Sequence, residues 1–292
     1  MIPAPVSRRH FLVLSAGVGA SAVLAACGGG SSPSANGTLQ VVKRFPQDAL
    51  VPGKVRLPIS LADTTGLLPS DTTVELPQTL TAQVINSDNG NVVIEKITAV
   101  RHQENLSVPY WPFSFTLDAE GIYILKIAEA PESDLSFQLL ARNMVPMPLI
   151  GDVLPPFDTP TTDNARGVDP ICTRANEFCP FHSVTLTDAL AQGKPVVYLI
   201  GTPAYCTTGT CTPGLDALIE VSQSVGNAAV FVHADVYADK SANKTAPAVQ
   251  EYKLSYEPVL YITDSKGVLV DRLDAVFDVN EIRDVLAANG IS

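Results

Sequence analysis

The apolar residues of this chain follow one spacing in its first half and another in its second half. Between residues 39 and 144 they fall in short strand-like runs separated by turn residues, as at Asp88-Asn89-Gly90-Asn91. From residue 171 onward, apolar runs typical of buried strands alternate with amphipathic segments typical of helices. The change of spacing predicts an all-β unit followed by an α/β unit.

The first unit, residues 39–144, contains seven strand-like runs. They cover residues 39–42, 55–61, 80–86, 92–101, 110–117, 122–127 and 135–141. Seven short strands in about a hundred residues suggest an immunoglobulin-like β-sandwich, although the unit contains no Cys for an antibody-type disulfide. We expect Trp111, the only Trp of the chain, to lie in the core. His102 has no second ligand at metal spacing and gives no functional signal.

A proline-rich segment, residues 145–170, connects the two units. It contains six prolines together with Asp, Thr and Asn, which is typical of an extended, semi-rigid connector. Its apolar side chains suggest that it packs along a domain surface instead of extending into solvent. These side chains are Leu149, Ile150, Val153 and Phe157.

The second unit, residues 171–292, has the pattern of a sheet covered by helices. Strands are predicted at 196–200, 229–233, 259–263 and 268–273, and helices at 186–191, 215–225, 246–254 and 279–289. Either Thr185 or Thr187 can cap the first helix. Apolar strands that alternate with helices and end in a hairpin are typical of an α/β sandwich.

The first 38 residues resemble an export signal followed by a tether. Arg8 and Arg9 precede an uncharged apolar stretch, and this pair resembles a twin-arginine signal; Leu24-Ala25-Ala26-Cys27 resembles a lipobox, whose Cys is lipidated after cleavage. The apolar stretch is shorter than the roughly 20 residues of a spanning helix. We therefore predict a signal peptide at 1–26, a lipid anchor on Cys27 and a flexible tether at 27–38. The predicted location is the cell envelope, on the outer face of the cytoplasmic membrane.

The net charge limits the class of partner, and the predicted compartment indicates the state of the cysteines. The chain has 19 Lys and Arg against 30 Asp and Glu, a formal net charge of -11, which argues against nucleic acid as a partner. After lipidation of Cys27, four cysteines remain, all between residues 172 and 211. An even number of cysteines in an oxidising compartment predicts two disulfide bridges.

Three features of the second unit resemble the thioredoxin superfamily. Cys206 and Cys211 follow the first core strand and precede its helix, Glu257-Pro258 comes just before the hairpin strand, and a terminal helix follows the hairpin. The resemblance extends more loosely to exported two-domain lipoproteins of this layout. It implies thiol-disulfide exchange at the cysteine pair with protein thiols or disulfides as clients, no cofactor, and a cis Pro258 against the pair.

The same resemblance implies a client groove formed by Tyr205, Glu257 and Pro258. Tyr205 stands where thioredoxins commonly have Trp, and four residues separate the two cysteines where thioredoxin-type motifs have two. On a regular helix those five steps advance the chain by about 7.5 Å, so the sulfurs could not meet. We therefore expect residues 207–210 to form a loop and the helix to begin near Thr212, with Cys211 just outside it.

Cys172 and Cys179 have six residues between them and no strand-to-helix setting, so we predict a structural disulfide. A second redox pair that relays electrons to Cys206 and Cys211 is the alternative. The four cysteines together with His182 also offer zinc-type ligands, but the Cys-x6-Cys and Cys-x4-Cys spacings differ from the usual zinc knuckles. Metal binding is therefore only a minor alternative, and no metal site is predicted. His233, at the end of the second core strand, ranks below the cysteine pair as a functional residue.

Two other functions compete with an oxidoreductase. One is a redox-inert binding module in which both cysteine pairs are structural and the sandwich recruits a partner. The other is a peroxiredoxin-type peroxidase, because Pro203, Thr207 and Cys211 nearly reproduce its Pro-x3-Thr-x2-Cys motif. The second gap is one residue too long, which would move the sulfur off its site.

Overall fold

A computed structural model describes residues 39–292 of the chain. The predicted signal peptide at 1–26, the lipidation site Cys27 and the tether at 27–38 lie outside the described residues. Among residues 39–292, no helix is both long enough and apolar enough to cross a membrane.

Eight strands form two antiparallel four-stranded sheets in the first unit. They are β1 (Gln40–Lys43), β2 (Gly53–Asp63), β3 (Gly66–Leu67), β4 (Thr79–Asn86), β5 (Val92–Val100), β6 (Trp111–Leu117), β7 (Gly121–Ile127) and β8 (Leu135–Leu139). In one sheet β2 pairs with β1, β3 and β6, and the other has the order β5-β4-β7-β8. The seven predicted strands are confirmed, and β3 was not predicted. The immunoglobulin-like class stays a prediction.

The two sheets enclose one apolar core. Some of their strands alternate buried and exposed residues, as β8 does, because successive side chains of a strand point to opposite faces. The largest buried side chain of this core is Trp111, which is fully buried and donates its indole N–H to the Pro77 carbonyl at 3.2 Å. The predicted core position of Trp111 is confirmed.

The second unit contains one four-stranded sheet of order β10-β9-β11-β12. Its strands are β9 (Val196–Ile200), β10 (Val230–Ala234), β11 (Val259–Thr263) and β12 (Leu269–Asp274), and its helices are α1 (Leu186–Leu190), α2 (Cys211–Val225), α3 (Pro247–Glu251) and α4 (Val279–Ala288). β10 runs parallel to β9, whereas β11 is antiparallel to both β9 and β12. The predicted order of elements is confirmed, and the thioredoxin-like class stays a prediction.

Helices cover both faces of this sheet. Every residue of β9 is buried, and Val197 and Leu199 pack with α2 and α4, whereas Tyr198 and Ile200 pack with α1 and α3. A strand covered on both faces has no polar side, which explains the continuous apolar runs in the sequence. Of the two candidate caps for α1, Thr185 is the one that accepts a hydrogen bond from the Asp188 N–H, at 2.9 Å.

The connector packs against the second unit over part of its length. Leu149 and Leu154 are buried in the cluster that contains α1, α3 and one face of the sheet, and Phe157 is partly buried there. Val153, which we expected to pack, is 65% exposed. The described residues, 39–292, belong to one compact unit, so the predicted all-β and α/β units pack together.

Buried polar groups join the two predicted units. The Arg56 guanidinium donates two hydrogen bonds of 2.7 Å to the Glu281 carboxylate on α4, and the Tyr110 hydroxyl donates a third at 2.6 Å. His102 lies 2.8 Å from Asp278, the residue that caps the N-terminus of α4. His102 therefore contributes to this interface, a role that its position in the sequence did not reveal.

Candidate functional site

The predicted catalytic cysteines lie where β9 ends and α2 begins. Cys206 is partly exposed in the connecting loop, and Cys211 is the first residue of α2 and is 1% exposed. Both are free cysteines, and their sulfurs and a carboxylate oxygen of Glu257 all lie within 4.8 Å of one another. The structure thus brings together three of the residues that the sequence singled out.

The loop between the cysteines turns the chain back on itself. Gly209 has a φ of 69°, a left-handed conformation that favours glycine, and its N–H donates to the Cys206 carbonyl at 3.3 Å. The hydroxyl oxygens of Thr208 and Thr210 lie 2.8 Å apart. The predicted loop over residues 207–210 is confirmed, and it lets the sulfurs approach despite the four intervening residues.

The start of α2 differs from the prediction by one residue. Thr210 is the N-cap, and its carbonyl already accepts the Gly214 N–H at 3.0 Å. Cys211 therefore lies inside the first turn, not just outside the helix. Pro213 is tolerated there because N–H groups of the first turn have no partner within the helix.

Cys206 is surrounded by donors. A hydrogen bond from the Cys211 thiol is the main cause that lowers the pKa of Cys206 to about 4, against the effect of partial burial. The Thr208 hydroxyl, whose oxygen is 3.2 Å from the Cys206 sulfur, and the backbone N–H groups of Cys211 and Thr210 lower it further. Donors stabilise a thiolate more than a thiol, so this environment favours the ionised form of Cys206.

Cys211 and Glu257 have raised pKa values, in contrast to Cys206. The hydrogen bond to Cys206, burial and the charge of Glu257 raise the pKa of the Cys211 thiol well above its ordinary value. Burial raises the pKa of Glu257 to about 7, although its carboxylate accepts the Thr202 N–H at 2.8 Å. The Cys211 sulfur also lies 3.5 Å from that same carboxylate oxygen, so its one proton can be directed either to Cys206 or to Glu257. A carboxyl group with a pKa near neutral can accept and return a proton at this sulfur.

Of the two remaining groove residues, one lies against the cysteine pair. The Glu257–Pro258 peptide bond is cis, which confirms that prediction. A Cβ added at Gly201 would lie 3.2 Å from the Pro258 Cβ and 3.7 Å from the Cys211 sulfur, so these three residues are in close approach. Tyr205 instead packs edge to face on Tyr237 and donates its hydroxyl to the Lys240 carbonyl at 2.9 Å.

A second cluster lies near the first and was not predicted as a group. Cys172, Cys179, His182 and His233 are all buried, and one ligand atom from each lies within 4.8 Å of the others. Cys172 and Cys179 are free cysteines, and the disulfide between them stays a prediction. His233 also bonds through Nε2 to the Gly201 carbonyl at 3.0 Å, which links this cluster to the end of β9.

The sequence presented Cys172 and Cys179 as a pair, and the cysteines with His182 as possible zinc ligands, but did not connect His233 with them. One short segment contains Cys172, Cys179 and His182. His233 lies 51 residues after His182, near the C-terminal end of β10. The available signal was a Cys-x6-Cys-x2-His segment together with a histidine at the end of a core strand. Only the packing of that segment against β10 connects the two.

Comparison with known proteins adds no family. No protein-family model matches the chain, and no curated protein matches it. Among solved structures, a hypothetical protein from Pyrococcus horikoshii OT3 is 12% identical and aligns with 37% of this chain and 94% of its own, with a TM-score of 0.23. A similarity at this level carries no argument about fold or function.

Proposed function

We propose that residues 171–292 form a thioredoxin-like thiol-disulfide oxidoreductase whose catalytic residues are Cys206 and Cys211. The observation that carries the proposal is the asymmetry of the pair: a partly exposed thiol with a pKa of about 4 beside a buried thiol with a raised pKa. Exchange requires one accessible thiolate to attack, and a second thiol that stays protonated until the first has reacted. The clients are protein thiols or disulfides.

Reduction of a client begins at Cys206. Its thiolate attacks one sulfur of the client disulfide, a mixed disulfide forms, and the second client sulfur leaves as a thiolate that takes up a proton. Cys211 then loses its proton to Glu257, and its thiolate attacks the Cys206 sulfur. The bond between Cys206 and the client breaks, and the departing client sulfur takes up the proton held by Glu257. The client leaves as a dithiol, and the protein retains a Cys206–Cys211 disulfide. The reverse sequence oxidises a client dithiol.

Glu257 is suited to the second step because of its position and its burial. Its carboxylate oxygen is 3.5 Å from the Cys211 sulfur, within the range of a hydrogen bond to sulfur, and its pKa is about 7. The mixed disulfide removes both the hydrogen bond to Cys206 and the Cys206 charge, which together help to raise the pKa of Cys211, so Cys211 then loses its proton more readily. Attack by Cys211 is therefore favoured only after Cys206 has reacted.

The arrangement of the sheet also supports the proposal. The cysteine pair follows the central strand β9 and lies at the N-terminus of α2, and Pro258 immediately precedes β11, the neighbour of β9. A helix N-terminus favours a thiolate because its free N–H groups and its dipole present positive charge. Pro258 and Gly201 leave little space around the Cys211 sulfur, so clients reach the site through Cys206.

A peroxiredoxin-type peroxidase fits these residues less well. That reading makes Cys211 the attacking thiolate, with Thr207 as its activating hydroxyl. Cys211 is buried and its pKa is raised, whereas Thr207 is exposed in the loop. The accessible, acidic thiol is Cys206, which does not occupy the Cys position of the peroxiredoxin motif.

We also propose that the protein acts in the cell envelope, lipid-anchored through Cys27 on the outer face of the cytoplasmic membrane. The paired arginines Arg8 and Arg9 and the Leu24-Ala25-Ala26-Cys27 segment support this location. An extracytoplasmic compartment supplies disulfide-bonded clients, because disulfides form and persist there.

A mixed-disulfide trap tests the proposed function. The full-length Cys211→Ser variant, reduced and mixed with a fluorescent disulfide-bonded peptide, should retain the peptide in a reductant-sensitive complex. Cys206→Ser is the matched control and should retain none, because it lacks the attacking thiolate. Trapping by neither variant, or a Cys206–Cys211 reduction potential below about -300 mV, would favour the redox-inert module.

A further inference from the structure

We propose that Cys172, Cys179, His182 and His233 bind a single tetrahedral Zn²⁺ ion. This inference is independent of the proposed function, because none of the four residues takes part in the exchange at Cys206 and Cys211. Two thiolates and two imidazoles are a ligand set that zinc uses in closed structural sites. All four side chains are at most 3% exposed, so the bound ion would have no open position for water or substrate.

The distances between the ligand atoms suit one central ion. With Zn–N bonds of about 2.0 Å and Zn–S bonds of about 2.3 Å, tetrahedral ligands lie about 3.3 to 3.8 Å from one another. His182 Nε2 is 3.1 Å from His233 Nδ1, and the Cys179 sulfur is 3.5 Å from the same His233 nitrogen. All four ligand atoms fall within 4.8 Å of one another, so small shifts, outward for the two nitrogens and inward for more distant atoms, would place them around one ion.

In each of the two histidines, one ring nitrogen is bonded to a backbone carbonyl, and the other ring nitrogen faces the centre of the cluster. His233 Nε2 is 3.0 Å from the Gly201 carbonyl and His182 Nδ1 is 3.4 Å from the Pro160 carbonyl. A carbonyl only accepts, so each of these nitrogens carries the proton. Metal-bound histidines commonly donate their other ring N–H to a backbone carbonyl in this way.

This protonation leaves two lone pairs facing each other. His182 Nε2 and His233 Nδ1 are then both acceptors at 3.1 Å, in a buried site. Such lone pairs repel each other unless a proton or a metal ion lies between them, and the sulfurs of Cys172 and Cys179 beside them supply the remaining ligands of a metal. Binding of Zn²⁺ releases the two thiol protons to solvent and leaves a neutral centre, which a buried position tolerates better than an unpaired charge.

The same sulfurs cannot serve a disulfide and a metal at once. A Cys172–Cys179 bridge, which the sequence predicts, removes both thiolates, so the zinc site exists only in the protein with these two cysteines reduced. The two forms therefore differ in a measurable way. Oxidation at this pair abolishes metal binding, and bound metal protects the pair from oxidation and alkylation.

The experiment measures metal content and cysteine protection in the full-length chain, reduced and purified in detergent. We expect one Zn²⁺ per chain after gel filtration, and Co²⁺ in its place should show the absorption of a tetrahedral, thiolate-bound ion. Mass spectrometry should find that bound Zn²⁺ protects Cys172 and Cys179 from alkylation. After the metal is removed by a chelator, both cysteines should react. The protection assay uses the unmodified chain, so it does not depend on a variant that folds.

Variants locate the site. Cys172→Ser and His233→Gln should each reduce the bound Zn²⁺ to well below one per chain. The double variant Cys206→Ser, Cys211→Ser should keep one Zn²⁺ per chain, because the second cysteine pair is not a ligand. The proposal is overturned if the reduced unmodified chain binds no Zn²⁺, if Zn²⁺ leaves Cys172 and Cys179 as reactive as before, or if binding disappears only in the double variant.

Discussion

At the scale of single residues, the proposed exchange depends on the charge of Cys206. Its donors lie on three sides: the Cys211 thiol, the Thr208 hydroxyl and the first N–H groups of α2. The positive charge of Arg44, from the neighbouring sandwich, interacts with Cys206 and favours its thiolate, whereas the Glu257 carboxyl group disfavours it. The donors and Arg44 outweigh Glu257, so the pKa of Cys206 is lowered.

The first prediction is the pH dependence of Cys206 alkylation. Because its pKa is about 4, Cys206 should already be a thiolate at pH 6, and its alkylation rate, corrected for reagent, should fall only as the pH drops through about 4. Cys211→Ala removes the main donor and should move this midpoint upward, whereas Cys211→Ser keeps a hydroxyl donor and should move it less. A midpoint near the ordinary thiol value of about 8.5 would contradict the assignment.

The same shift predicts how the stability of the reduced protein depends on pH. The pKa of Cys206 is lower in the folded state than in the unfolded chain, so ionisation of this thiol stabilises the fold at a pH above the unfolded value of about 8.5. That contribution declines below this value and is lost as the pH falls through about 4. Urea unfolding of reduced Cys206→Ser should lack this component.

At the scale of elements, the loop before α2 depends on one glycine. Gly209 has a φ of 69° and nothing within 4 Å of an added Cβ, so Gly209→Ala introduces backbone strain without a clash. We expect a loss of about 1 kcal/mol in the free energy of unfolding. We also expect a change in the reduction potential of the pair, because the loop sets the approach of the two sulfurs.

Gly90→Ala is the matched control for this substitution. Gly90 has a φ of 73° in the turn between β4 and β5, also with nothing within 4 Å of an added Cβ. It should therefore destabilise the protein to a similar degree and leave the reduction potential unchanged. Equal effects of both substitutions on the potential would show that the loop conformation does not position the cysteines.

At the scale of the whole molecule, the Arg56–Glu281 ion pair joins the sandwich to α4. Both side chains are at most 10% exposed, so Arg56→Ala leaves a buried carboxylate without its partner. We expect a loss of about 3 to 5 kcal/mol in the free energy of unfolding. The exposed pair Arg283–Glu220 is the control, and Arg283→Ala should cost less than about 1 kcal/mol. Similar losses in urea unfolding would contradict a stabilising role of the buried pair.

A second prediction at this scale concerns the anchor. Radiolabelled palmitate supplied to expressing cells should label the unmodified protein and Cys206→Ser but not Cys27→Ala, because only Cys27 follows Leu24-Ala25-Ala26. Cys27→Ala should also release the protein from the membrane fraction. Equal labelling of all three proteins would remove the lipobox interpretation.

Much of the local structure follows from the sequence by itself. Strand β9 could be placed from its five consecutive apolar residues, and β8 from its alternation, because burial on one or both faces of a sheet imposes these patterns. The loop before Cys211 could be inferred from helix geometry alone. The exact start of α2 could not be inferred in this way. It depends on the backbone conformation at Thr210, whose carbonyl accepts the first helical hydrogen bond.

The tertiary structure decided which distant residues meet. His233 belongs to β10 and Cys172 to a loop before α1, and no local pattern in the sequence encodes their approach. The same holds for Arg56 and Glu281, which are 225 positions apart and pair only because the sandwich packs on α4. Local hydrophobic spacing determines strands and helices, since each depends on neighbours along the chain. Clusters of polar side chains depend on how these elements pack, and therefore only the folded chain reveals them.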